Sequence, residues 1–181
     1  MSKKTMVLMA HRNLGDSVLN KNIKKVLEKE DDIIYKDLKS LYDGFKIDVQ
    51  KAQDELSDIK KLVFQFPLYW YSAPAILKQW VDEVLAYGFS YEIDENGNFQ
   101  PLALKDKEFQ MVVTIGAKEE AYKGEGRLSV LECLNSYSYT AKILGMREIE
   151  PYLIYGASFE NYDEKKLNNL TLEVKKRVLE G

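Results

Sequence analysis

Short, almost purely apolar runs alternate along the chain with segments whose apolar positions recur every three to four residues. Thr5–Ala10, Leu62–Phe66 and Phe109–Thr114 have the length and continuity of strands buried on both faces, and Asp32–Tyr35 and Ile149–Ile154 read as two more. Between them, Ser17–Lys29 carries Val18, Ile23, Val26 and Leu27 on one side, with Asp16 or Ser17 as its cap. Gln50–Asp58, Pro74–Leu85, Leu128–Leu144 and Glu164–Leu179 are further helices; Pro74 sits near a first turn and Gly145 ends the fourth. Glu92–Gln100 contains Glu95-Asn96-Gly97-Asn98, a hairpin or loop tip. Strand and helix alternation predicts an α/β chain: a three-layer, doubly wound, five-stranded parallel sheet of order 2-1-3-4-5. The ligand crevice of such a sheet lies beyond the carboxyl ends of strands 1, 3 and 4. A Rossmann dinucleotide domain competes at this level, but no Gly-x-Gly-x-x-Gly follows the first strand.

At 181 residues, with no repeat or linker-like tract, the chain reads as one domain over 1–181. The net charge of −3 argues against a nucleic-acid surface. One cysteine, Cys133, and one histidine form neither an internal disulfide nor a zinc cage, so no metal is expected and a reducing, cytoplasmic location fits. Met1-Ser2-Lys3-Lys4 is basic, but the apolar run after it is too short for a secretion signal. The longest uncharged stretch, Leu62–Leu77, holds two prolines and is shorter than the roughly 20 residues that span a bilayer, so no membrane insertion is expected.

Three loops at the predicted crevice carry chemistry. The first, His11 to Asn20, leads into a helix N-terminus whose free N–H groups favour an anion; Ser17 is either a plain N-cap or a phosphate donor. The second, Pro67-Leu68-Tyr69-Trp70-Tyr71-Ser72-Ala73-Pro74, sets three aromatics in a row, as a clamp on a planar ring or as core or dimer packing. The third runs from Thr114 to Tyr122, with Gly116 and Ala117 leaving room for a ligand against the backbone. A phosphate socket, an aromatic clamp and a small-residue wall along one crevice suit flavin mononucleotide, FMN.

At these residues the sequence resembles the NAD(P)H:quinone oxidoreductase family with a flavodoxin-like fold. That family takes in bacterial quinone and nitro reductases, drug-activity modulators and ancillary proteins of glutathione-gated potassium efflux. Gln65–Asp82 follows its Q-F-P-x-x-W-[YF]-x-x-P-x-x-L-K-x-W pattern, and Ala10-His11 with Ser17 and Asn20 its A-H-x5-S-x2-N loop. Thr114–Ala117 follows its T-T-G-G loop with two departures, Ile115 and Ala117. The resemblance implies that His11, Ser17, Val18, Leu19 and Asn20 hold the flavin phosphate and ribityl chain. It implies that Pro67, Leu68, Tyr69, Trp70 and Tyr71 line the isoalloxazine, partly through backbone amides. Thr114, Ile115, Gly116 and Ala117 would contact the pyrimidine edge, and Tyr122 would stabilise the reduced flavin. The histidine that follows this tyrosine in some members is absent; Arg127 is an electrostatic substitute or a solvated charge.

The activity implied is ping-pong transfer of two electrons from NAD(P)H to a quinone or nitroaromatic, with FMN as cofactor and FAD the alternative. A homodimer with shared active sites is implied too, with Leu131, Leu134, Tyr137, Tyr139 and Ile143 as further apolar surface. The other readings are an ancillary subunit of a potassium-efflux transporter and a one-electron flavodoxin-type carrier.

Overall fold

A computed structural model describes residues 4–42, 44 and 46–180; the basic start at Met1 to Lys3 lies outside them. The central strand β1 (Lys4–Met9) pairs in parallel with β2 (Ile33–Asp37) on one side and β3 (Ile59–Pro67) on the other. Next to β3 lies β6 (Glu108–Thr114), in register from Lys61 opposite Glu108 to Pro67 opposite Thr114. The last position in the sheet is split: β7 (Arg147–Glu148) and β8 (Tyr152–Ile154) both pair with β6. The order β2-β1-β3-β6 followed by the β7/β8 edge is the doubly wound order expected, with the antiparallel pair β4 (Tyr91–Ile93) and β5 (Phe99–Pro101) set off from it. The single strand expected over Ile149–Ile154 is broken at Pro151, which has no N–H to give to a ladder.

Helix ends follow the local chemistry. Ser17 caps α1 (Val18–Leu27) by accepting the Asn20 N–H, and Asp48 caps α3 (Val49–Ser57) through the Lys51 N–H. A four-residue turn, α2 (Leu38–Leu41), was not foreseen; Asp37 caps it from the end of β2. Proline 74 immediately precedes α4 (Ala75–Val84). Ser129 and Glu132 form a reciprocal capping box on α5 (Val130–Ile143), which begins two residues later than expected. The chain closes with α6 (Glu164–Glu180).

Two cores flank the sheet. Met6, Leu8, Leu62, Phe64, Phe66, Phe109, Met111 and Val113 pack under α4 and α5, where Phe64 meets Trp80, Phe109 and Tyr137 edge-on. Leu134 and Tyr137 are buried here, so of the residues expected to offer apolar surface on α5, only Leu131 and Tyr139 are well exposed. On the other face Val7 and Val63, opposite one another, and Val112, two residues further along β6, pack beneath α1 and α6. This face also buries polar side chains: Lys61, Gln65, Gln110 and Thr114 occupy its positions on β3 and β6. Lys61, 1% exposed, donates to the carbonyls of Arg177 and Val178 at the C-terminal end of α6.

Candidate functional site

Beyond the carboxyl ends of β1, β3 and β6 the chain leaves a cleft of about 460 Å³. The loop after β1 makes one wall, with His11 to Asp16 and then Ser17 to Asn20 at the start of α1. Pro67, Leu68 and Tyr69 after β3, and Thr114 and Gly116 after β6, close the rest. Ala157 and Ser158, beyond β8, complete it; the sequence reading missed both.

The floor is a buried polar chain. The Asn20 side-chain amide donates to Thr114 Oγ1 at 2.8 Å and accepts from Gln65 Nε2 at 3.1 Å, while Gln65 Oε1 accepts from the Tyr35 hydroxyl at 2.9 Å. Asn20 is 2% and Gln65 0% exposed, so each amide needs these partners. The network ties α1, β2, β3 and β6 together directly under the loops. Above it, Ser17 Oγ accepts from the Asn20 backbone N–H at 3.1 Å. Its own proton has no acceptor among the described residues, so the hydroxyl can donate to an anion. The first N–H groups of α1 have no intrahelical partner and add positive potential there.

His11 accepts the Asn13 N–H on Nδ1 at 3.0 Å and places Nε2 3.3 Å from the Tyr69 hydroxyl. Accepting on Nδ1 fixes the neutral tautomer with its proton on Nε2, and burial pushes the imidazole pKa below its ordinary value. Burial likewise raises the Tyr69 phenol. The Arg12 guanidinium lies 5.9 Å from the Tyr69 ring centre.

The aromatic run forms a tight reversal. Tyr69 and Ser72 exchange backbone hydrogen bonds of 2.8 and 3.0 Å, and Trp70 and Tyr71 between them have φ of +46° and +63°. A two-residue turn of this kind ordinarily takes Asn-Gly, because side chains crowd the left-handed region. Trp70 is 94% exposed and, with Tyr71, stands outside the lining of the cleft. Backbone N–H groups of Leu68 and Tyr69 are engaged, to Thr114 O and Ser72 O, whereas those of Trp70 and Tyr71 are free among the described residues.

After β6, Ile115 turns its side chain into the core and gives its N–H to Ile154 O. The N–H groups of Gly116 and Ala117 are free among the described residues, and their carbonyls accept from Ser158 and Gly156. A Cβ on Gly116 would lie 2.8 Å from Ser158 Oγ, so any side chain there would have to turn the Ser158 hydroxyl aside. Tyr122 ends the 3-10 turn Glu119–Tyr122, half-buried, 6.4 Å from the Tyr71 ring and 6.1 Å from that of Tyr155. It lies on the aromatic side of the loops rather than in the cleft, and burial raises its phenol pKa. Arg127 donates to the carbonyls of Glu120 and Ala121 at 3.1 and 3.3 Å, fastening the turn that carries Tyr122.

These parts fit a flavin: an anion socket with an available hydroxyl proton, and two pairs of free amides on neighbouring loops for a hydrogen-bonding ring edge. Among the described residues no cluster of His, Cys, Asp or Glu forms a metal site, and no helix is long and apolar enough to cross a membrane.

Comparison with known proteins identifies the family. The chain is 40% identical over 155 residues to an uncharacterized NAD(P)H oxidoreductase, YrkL, of Bacillus subtilis, covering 84% of this chain and 86% of the relative. It is 35% identical over 156 residues to the glutathione-regulated potassium-efflux system ancillary protein KefG of Yersinia pestis, covering 85% and 82%. Among solved structures, general stress protein 14 of Treponema denticola in complex with FMN superposes with a TM-score of 0.81 at 29% identity, over 97% of this chain and 95% of that one. Residues 3–178 match the family described by the flavodoxin-like fold, and the chain belongs to that family, alongside relatives named as NAD(P)H oxidoreductases.

Proposed function

We propose that this chain is an FMN-dependent NAD(P)H oxidoreductase that reduces a quinone or nitroaromatic by two electrons in a ping-pong cycle. The observation that carries the reading is the Ser17 hydroxyl, capping α1 with its proton still available, in one continuous cleft with the free amide of Gly116. The FMN complex of the Treponema denticola relative supports FMN over FAD.

Ser17 and the first N–H groups of α1 would bind the phosphate, and Asn20 holds that turn against β6. The free amides of Trp70, Tyr71, Gly116 and Ala117 would orient the ring edge and stabilise negative charge there. A flavin held by these residues would supply the two-electron redox chemistry between nicotinamide and acceptor. Tyr69, Trp70, Tyr71 and Tyr122 would shape the surface on which a flat acceptor stacks and from which water is excluded. Tyr122, a protonated phenol whose pKa burial raises further, would have a proton to offer toward the ring. Trp70, Tyr71 and Leu131 form exposed apolar surface that a second copy would cover, and we include a homodimer in the proposal.

Mass analysis of the released flavin, with stopped-flow absorbance on adding NADH or NADPH, tests this directly. Uptake of FMN followed by bleaching on the millisecond-to-second scale is expected. A chain that takes up no flavin at micromolar concentration, or one not reduced by either nucleotide, overturns the reading. The similarity to KefG supports a second role as a transporter's ancillary subunit; co-purification with a potassium-efflux transporter would establish it.

A further inference from the structure

On the far side of the His11–Tyr69 pair lies a second chamber, of about 490 Å³, that the cofactor reading leaves unused. Tyr42 forms one wall and Pro74 and Ile76, at the start of α4, the other; Arg12 and Lys39 stand at its rim. Its volume falls within the range of pockets that hold small ligands, and apart from the rim the described residues of its lining are aromatic, aliphatic or, at Gly44, without a side chain. Among the described residues neither Arg12 nor Lys39 takes part in an ion pair. Lys39 Nζ instead donates to the backbone carbonyl of Arg12, while the Arg12 guanidinium lies by the Tyr69 ring. An apolar chamber with a cationic rim selects for a flat hydrophobic body with one negative end. Arg12 and Lys39 are both exposed, so a negative end held at the rim stays near water while the apolar body fills the chamber.

We propose that this chamber binds a planar aromatic molecule carrying a single carboxylate or sulfonate, at a site separate from the cofactor cleft. The two sites share the His11–Tyr69 wall, so a ligand in one rests against side chains that also face the other. The inference does not depend on the identity of the cofactor.

Naphthalene-1-sulfonate and neutral 1-naphthol are the probes, titrated by calorimetry into the full chain with and without FMN. One saturable sulfonate site per chain is expected, retained when FMN is present. Lys39→Gln, on an exposed side chain, should weaken the sulfonate about tenfold and leave 1-naphthol unchanged. Ala75→Trp, from an exposed position in the lining, should abolish both while FMN uptake persists. Displacement of the sulfonate by FMN, or wild-type affinity in the Lys39→Gln chain, overturns the proposal. So does a chamber that admits no probe because a second copy covers it, seen as a dimer that Ala75→Trp dissociates. Failure of flavin uptake would overturn the proposed activity alone, since the sulfonate titration is read without flavin.

Discussion

The side chain of Asn20 reaches Thr114, 94 residues away in sequence, with a 2.8 Å hydrogen bond buried beneath the cleft. Through it the first turn of α1 and the end of β6 are one unit, so the anion socket and the ring-edge amides are held in fixed relation. Replacing Asn20 by alanine leaves Gln65 Nε2 without its acceptor and Thr114 Oγ1 without its donor. A loss of about 2 kcal/mol in urea unfolding is expected, together with weaker FMN binding. A loss under about 0.5 kcal/mol, typical of a neutral surface change, would mean the network is not what holds the loops.

In the proposed function Ser17 has two roles, helix cap and phosphate donor, that one substitution separates. Ser17→Ala removes the cap, at about 1 kcal/mol of stability, and removes the donor to the phosphate, at roughly 1.5–3 kcal/mol of FMN affinity. A lower melting temperature with unchanged FMN affinity would leave the serine as a cap only.

The Trp70–Tyr71 turn stores strain where the flavin reading needs it. Trp70→Gly relieves a left-handed side chain that buries almost nothing, so stability should rise by roughly 0.5–1 kcal/mol. Quinone reductase turnover should fall at the same time. Equal or higher turnover would remove Trp70 from the acceptor surface.

Lys61 gives a pH signature. Burial lowers its pKa from 10.5 to about 8, so above pH 8 the folded chain has released a proton that the unfolded chain still holds. Stability should therefore rise with pH between about 8 and 10.5, by about 1–2 kcal/mol from pH 7.5 to 9.5. The increment should vanish in Lys61→Met. Parallel pH curves for the two proteins would show that the ammonium is not buried as described.

Light scattering at micromolar concentration should give twice the 21.0 kDa of the chain. Full reductase activity at the monomer mass would return Trp70 and Leu131 to ordinary surface.

The order of the sheet could be read from the sequence because its strands are continuous apolar runs with punctuated helices between them. The start of β3 could not: Lys60 and Lys61 look like loop, and only the α6 carbonyls, more than a hundred residues on, explain a lysine inside. Turn α2 was hidden because four residues show no period. The loops after β1, β3 and β6 were legible by residue type, and the structure brings Ser17, Leu68, Tyr69, Thr114 and Gly116 to one cleft. It leaves the side chain of Ile115 in the core and Trp70 out in solvent. Ala157 and Ser158 gave no signal, being small residues after the most irregular strand; Gly156, with φ of +74°, was the one hint.

Three consecutive backbone bonds, from Gly156, Ala157 and Ser158 to Ala117, Ile115 and Gly116, knit the last two loops of the cleft beyond the end of the sheet. Such a seam makes the pair a single inherited part. A graft that exchanged the segment after β6 without the one after β8 would break the register of all three bonds and set any new side chain at 116 against Ser158. Reshaping this enzyme for another acceptor is therefore a matter of transplanting both segments at once or leaving both alone.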